Sequence, residues 1–252
     1  MEQLASKYKV SERTIRRDLE GMRFVHKIAK HKEVTVQLDT TYWGRNFGLM
    51  VIKDVLRNEI LWHKYVRNET IAQYVEGISW LEQNGFKIYG AVIDGMRGLA
   101  QALYPIPVQM CQFHQILITR RYLTQEPDLD ASCELLELVK NITKMDKESF
   151  IGAFNEWQEK FKDVLNERVQ DKRIKRYTPP YMRPRLRSAY LRLKRNMSLL
   201  WTFYDHRETG LPNTNNAHEG VFSDLKSKVR AHRGISKENR KKLLDEYIMR
   251  HY

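Results

Sequence analysis

Cysteine is nearly missing from this 252-residue sequence: Cys111 and Cys133 are the only two. Two thiols cannot build a disulfide framework, and no Cys-x-x-Cys pair offers a zinc knuckle, so a reducing compartment is expected. Also lacking is any apolar run near the ~18 residues that span a bilayer. The residues after Met1 do not form a signal-peptide pattern. A soluble, cytoplasmic protein with no membrane partner is the expectation. There is no internal repeat and no low-complexity tract. Hydrophobic residues make up 42%, enough to bury a core in one elaborated domain or a core plus a small appendage.

Acids are scarce in one part of the chain only. Residues 1–167 carry 23 Lys/Arg and 23 Asp/Glu, whereas residues 168–252 carry 21 Lys/Arg against 8 Asp/Glu. The whole formal charge of +13 therefore belongs to the C-terminal third. A one-sided excess of this kind attracts a polyanion and predicts salt-sensitive binding.

At the N-terminus, Leu4, Ala5 and Tyr8 share a helical face, and Val10-Ser11 reads as a turn and N-cap. Ile15, Leu19 and Met22 then recur at helical spacing, with Arg13, Arg16 and Arg17 on the exposed side. Residues 4–19 resemble the core of DeoR-type helix-turn-helices, whose second helix enters the major groove. Lys9 stands where a turn glycine is usual. Met1 leaves no room for the preceding helix, so residues 1–32 are expected to be a partial motif whose parent begins earlier or whose packing the core completes.

Three strand-like runs follow. Glu33–Trp43 alternates Val34, Val36 and Leu38 with Thr35, Gln37 and Asp39, and a turn follows at Gly44-Arg45-Asn46. Phe47–Val55 and Ile60–Val66 continue the meander. Glu69–Asn84 has the spacing of a helix, ended by Asn84-Gly85. Ile88–Ile93 is apolar without alternation, as a strand covered on both faces would be. Leu99–Tyr104 reads as a short helix and Val108–Phe113 as a further strand. Three antiparallel strands, a helix, then two strands separated by a helix is the order of a ribonuclease H-like mixed α/β sheet.

Residues from about 114 to 205 read as almost wholly helical. Phe150, Phe154, Trp157, Phe161 and Leu165 form one apolar stripe after an Asp146 cap. Leu186, Tyr190, Leu193, Met197 and Leu200 form another; both stripes are expected to be core. A helix to about Arg230 and a last one from near Ser236 complete the chain. The domain division expected is 33–252 for the core, with an all-α insertion at about 121–208 before the last functional helix.

Three carboxylates invite a joint reading. Asp39 lies in a strand, where Asp is disfavoured. Asp94 ends a buried strand, where ligands meet open α/β sheets. Glu219 lies in the first turn of a helix. Singly, a turn, an Asp-Gly corner and a helix-dipole complement account for them. Jointly, a strand-borne Asp, a neighbouring Asp and a helix-borne Glu suit a pair of divalent ions about 4 Å apart at a phosphodiester, and hard oxygen donors suit magnesium.

The motifs in order are Leu38-Asp39-Thr40-Thr41-Tyr42, Val92-Ile93-Asp94-Gly95, Cys111-Gln112-Phe113-His114 and Thr214-Asn215-Asn216-Ala217-His218-Glu219-Gly220. On these the sequence resembles the Mutator-like (MULE/insertion-sequence) DDE transposases over roughly residues 33–230. In that family a Cys-x-x-His follows the second Asp, and a helical insertion precedes the Glu. Here Cys111 is 17 positions after Asp94, and Glu219 is 125 positions after it. The resemblance implies a DNA transposase that cleaves element ends and joins their 3′-hydroxyls to target DNA. It implies Asp39, Asp94 and Glu219 as catalytic and metal-holding residues with Mg2+ or Mn2+, two ions. It also implies double-stranded DNA as partner and a homo-oligomer assembled on it, nucleoid-associated in a prokaryote.

Cys111 and His114 are expected to pack and shape the site, because zinc needs about four ligands and no second Cys/His pair follows. Candidate DNA contacts are Arg13, Arg16, Arg17, Arg120, Arg121, Arg185, Arg187, Arg192, Lys194, Arg195, Lys226, Lys228 and Arg230, which would position a duplex without reading it. Three alternatives remain open: a ribonuclease H-like structure-specific nuclease or resolvase, a helix-turn-helix regulator, and an inactive truncated transposase.

Overall fold

The computed structural model describes residues 5, 6, 8–21, 29–169, 180–214, 216–231, 234 and 236–251. Its centre is one sheet. Strands β1 (Glu33–Tyr42), β2 (Gly48–Asp54) and β3 (Ile60–Val66) form an antiparallel meander, and β4 (Lys87–Ile93) and β5 (Val108–Met110) continue it in parallel from β1. The order is β3-β2-β1-β4-β5. With β1, β4 and β5 running one way and β2 reversed, this is the ribonuclease H-like sheet expected from the order of elements. The step from β1 to β4 is made through helix α2 (Ile71–Gln83). A strand paired in parallel needs such a crossover, since a tight turn can only return antiparallel.

Helix α2 begins where its sequence stops the strand. Thr70 caps it, accepting from Gln73 N–H while the Gln73 side chain returns the bond to Thr70 N–H; this satisfies two otherwise orphaned donors. Gly85 closes it at φ +81°. Tyr74, Ile78 and Leu81 pack down onto Val34, Val36, Leu38, Met50 and Ile52.

The opposite sheet face is covered too. Before it come α1 (Glu12–Gly21) and, after β4, α3 (Leu99–Ala102); the insertion runs through α4 (Gln112–Leu123), α5 (Asp130–Lys140), α6 (Lys147–Lys160), α7 (Lys162–Asn166), α8 (Pro184–Asn196) and α9 (Thr202–Asp205). The chain ends with α10 (Asn216–Ala231) and α11 (Lys237–His251). From these last two, Val221, Phe222, Leu225, Val229, Leu244 and Ile248 pack on Leu49, Val51 and Ile60. The alternation in β1 therefore does not mark a wet face: Thr35, Gln37 and Thr41 are all buried. A central strand with helices on both sides has no solvent side to give its polar residues.

The insertion is a second apolar core. Phe150, Phe154, Trp157, Leu186, Leu193 and Leu200 belong to it, and Trp157 Nε1 donates to Ala131 O at 3.0 Å. Asp146 caps α6 through Ser149 N–H at 2.8 Å, as its position predicts. One expectation fails here. The apolar run 108–113 does not stay extended, because β5 stops at Met110 and Gln112 and Phe113 already belong to α4. Short apolar runs carry no period that separates strand from buried helix.

Near the N-terminus Ser11 caps α1, with Thr14 N–H 3.1 Å from its Oγ, and Lys9 takes φ +53° in the turn before it. Arg13 and Arg17 are exposed. Leu4, Lys7 and Met22, and the side chains of Ile15, Arg16 and Leu19, lie outside the described residues.

Candidate active site

The two aspartates come together through strand register. Parallel β1 and β4 pair Val36 with Ala91 and Gln37 with Val92. Two residues further, the same register sets Asp39 beside Asp94, just past the end of β4. Neighbouring strands lie ~4.8 Å apart and in-register residues share a face, so the two carboxylates sit side by side on the face that α10 and α11 cover.

Each carboxylate is oriented by its own backbone. Thr40 N–H donates to Asp39 Oδ1 at 2.7 Å, and Met96 N–H donates to Asp94 Oδ1 at 3.0 Å. The Asp94 turn depends on Gly95, whose φ of +95° lies in the region L side chains avoid. An added Cβ there would also stand 2.5 Å from Met110 Cε.

Burial and neighbouring negative charge both act on Asp39. Its carboxyl is pushed up to about 8, first by burial, then by the charge of Asp94, with a smaller contribution from Glu69; the Thr40 N–H bond and Lys226 pull the other way. Lys226 belongs to α10, so that helix brings its charge to bear on the aspartates. Glu219 lies on the same helix seven residues earlier, about 10 Å along its axis and on the same side of the cylinder. The Glu219 side chain lies outside the described residues, as do those of Ala217 and His218. Among the described residues no three His, Cys, Asp or Glu side chains converge as a metal cage.

Glu69 is the acid that sequence reading passed over. It stands just before the Thr70 cap rather than inside α2, and its carboxylate accepts from Tyr74 Oη. Tyr74 Oη is in turn 3.0 Å from Thr40 Oγ1, next to Asp39. Burial raises the Glu69 carboxyl; the Tyr74 bond opposes this, and Asp94 adds to it. A Glu one residue before a helix cap has no sequence signature; only the close of α2 against β1 reveals it.

The Cys-x-x-His segment meets the site from below. Cys111 N–H donates to Ile93 O at 2.9 Å, beside Asp94, and its side chain is buried with Val92 and Leu211. His114 lies one turn into α4, edge-on to Phe113. Three buried amides anchor the return of the insertion. Gln109 and Gln112 both donate to Leu200 O (3.0 and 3.1 Å), Gln109 Oε1 accepts from Phe203 N–H at 3.0 Å, and Gln115 Oε1 accepts from Asn196 at 2.9 Å.

The expected cationic residues divide. Arg192 reaches from α8 to the aspartate loop, donating to Gly95 O at 2.9 Å. Arg195 is held below its ordinary value, first by burial and then by Arg192 and Arg97, so these three arginines lie near one another. Arg187 is occupied within the fold by Leu165 O and Asn166 and stacks on Tyr181. Arg185 donates to Arg121 O, and Lys194 donates to Tyr190 Oη. Arg121 and Arg230 are exposed and Arg120 half-buried, while Lys228 lies over the Tyr247 ring.

No protein-family model matches this chain, and no curated protein matches it in sequence. Among solved structures it is similar to a chain of the Drosophila P element transposase strand transfer complex. That likeness has 12% identity and a TM-score of 0.36, and it covers 96% of this chain and 85% of that chain. A likeness so distant carries nothing about substrate or chemistry.

Proposed function

We propose that this chain is a DNA transposase of the Mutator-like DDE type, cleaving phosphodiester bonds at element ends and joining the 3′-hydroxyls to target DNA. The observation that carries the reading is the side-by-side placement of Asp39 and Asp94 at the ends of adjacent parallel strands. Two carboxylates at that spacing repel one another, and the charge of Asp94 adds to burial in raising the Asp39 carboxyl. A divalent cation removes the conflict, and the donors are hard oxygens of the kind magnesium and manganese prefer. Asp39, Asp94 and Glu219 are the residues that would hold it. When bound, two such ions supply the positive charge that offsets the attacking and leaving oxygens of the phosphodiester.

The chain's own residues have separable tasks. Thr40 and Met96 N–H fix the two carboxylates before any substrate arrives. Asp39 must release its proton to serve, which lowers its competence below about pH 8 in the absence of cation. Arg192 ties the insertion to the Gly95 corner, so movement of the insertion is felt at Asp94. The exposed bases of the C-terminal third attract the phosphate backbone. The divalent ions, the duplex partner and assembly as a homo-oligomer on DNA belong to the same proposal.

The test is strand transfer with DNA taken from the two flanks of the coding sequence, with magnesium present. Joined product from the natural chain, and none from Glu219→Gln, supports the transposase. Cleavage of branched DNA without joining supports the nuclease or resolvase instead.

A further inference from the structure

Two clefts meet between the β1–β2 hairpin and the C-terminal helices. One, of about 550 Å³, is lined by Tyr42, Trp43, Lys226, Val229, Arg230 and Arg240. The other, of about 320 Å³, is lined by Trp43, Arg45, Phe47, Lys237 and Arg240. Trp43 and Arg240 belong to both walls, so the clefts are contiguous. Five cations line them, and among the described lining residues there is no acid.

Two of these cations are held in place. Lys237 Nζ donates to Asn46 O at 3.3 Å, and Lys237 and Arg240 both lie 5.6 Å from the Phe47 ring. Phe47 is itself stacked on Tyr65 with centroids 5.5 Å apart. Trp43 Nε1 and Arg240 Nε are buried and have no hydrogen-bond partner among the described residues. A fold that gathers like charges and leaves two buried donors unanswered is short of acceptor oxygens.

We infer that this double cleft binds a single-stranded nucleic-acid segment next to the carboxylate pair, with phosphates on Arg45, Lys226, Arg230, Lys237 and Arg240 and an unstacked base against Trp43. The inference rests on the DNA reading proposed above and adds the strand state and its location. Its place fits. Tyr42 is three residues beyond Asp39 on β1, roughly 10 Å away. Lys226 both lines the cleft and acts on Asp39, so the two sites are neighbours. An unpaired strand can offer a base to the Trp43 face, whereas a paired duplex keeps its bases stacked inside. Aromatic faces set among cations are what strand binding without sequence preference requires.

The test measures binding of a fluorescent single-stranded oligonucleotide and of the same sequence as duplex, with chelator present and over a range of salt. Lys237→Ala/Arg240→Ala lowers single-strand affinity at least tenfold and flattens the log-affinity against log-salt slope by about 1.4, from ~0.7 per lost phosphate contact. Trp43→Ala lowers single-strand affinity roughly 5- to 150-fold, from ~1–3 kcal/mol per stacked base, and leaves the slope unchanged. Should that variant fold poorly, Trp43→Leu is measured instead, with its melting temperature recorded alongside. Equal losses for duplex and single strand overturn the inference, as does an unchanged slope in the double variant. Displacement of the oligonucleotide by millimolar inorganic phosphate alone also overturns it, because the site is then a simple anion site. With no divalent ion present, the measurement is independent of cutting and joining, so failure of the transposase reading and failure of this site are told apart.

Discussion

Asp39 stands next to Asp94 across the β1–β4 ladder, two residues past the Gln37–Val92 pair. The pair owes its closeness to the register of the parallel β1–β4 ladder. Burial first, and then the charge of Asp94, make Asp39 reluctant to ionise.

That reluctance fixes a pH dependence. The Asp39 carboxyl rises from 3.8 to about 8 on folding, so the fold favours its neutral form. Stability from this group is fully present below about pH 4 and is lost as pH climbs toward about 8. In metal-free protein, Asp39→Asn therefore raises the melting temperature at pH 8, by ~2–4 °C for each kcal/mol recovered. At about pH 3.5 it changes little. Calorimetry at both pH values checks this; an equal difference at both contradicts it.

Glu69 and Asp94 act on Asp39 with different weight. Asp94 is the stronger neighbour. Both Glu69→Gln and Asp94→Asn lower the midpoint at which Asp39 titrates, and the second lowers it more. Carbon-13 resonances of the Asp39 carboxyl followed against pH read this directly. A larger effect from Glu69→Gln would mean that the pair has been misassigned.

Gly95→Ala forces a Cβ into φ +95°. The end of Met110 can swing aside, but the backbone strain remains. A loss of ~1–3 kcal/mol is expected in urea unfolding, together with weakened divalent-ion binding measured by calorimetry. Unaltered stability would show that the Asp94 corner tolerates a side chain.

Gln109→Leu removes the acceptor for Phe203 N–H and a donor to Leu200 O inside the core. Leaving a buried N–H unanswered costs roughly 1–3 kcal/mol. Denaturant unfolding gives the loss, and hydrogen exchange at Phe203 becomes faster while exchange in β2 does not.

Much of this fold was legible because its local signals agree. The Asp146 cap and the Asn84-Gly85 stop sit where side-chain chemistry puts them. The non-alternating run before Asp94 correctly announces a strand covered on both faces. Two features were hidden. The polar side of β1 looks like a surface, yet Gln37 and Thr41 are buried by helices more than 150 residues away in sequence. Glu69 acquires its place only because Tyr74 reaches back to Thr40, a contact between elements that no spacing encodes. Asp39 drew attention by the reverse logic: Asp is disfavoured inside a strand, and that oddness is visible in sequence.

The central claim is that Asp39 and Asp94 act together on DNA, not merely on one another. The most direct measurement compares metal-dependent cleavage of flank DNA by the natural chain, Asp39→Asn and Asp94→Asn, with DNA affinity recorded for each. The account predicts that either substitution reduces cleavage at least a thousandfold, roughly 4 kcal/mol of barrier at ~1.4 kcal/mol per tenfold, while affinity stays within a few fold. Cleavage that persists with magnesium in either variant contradicts it.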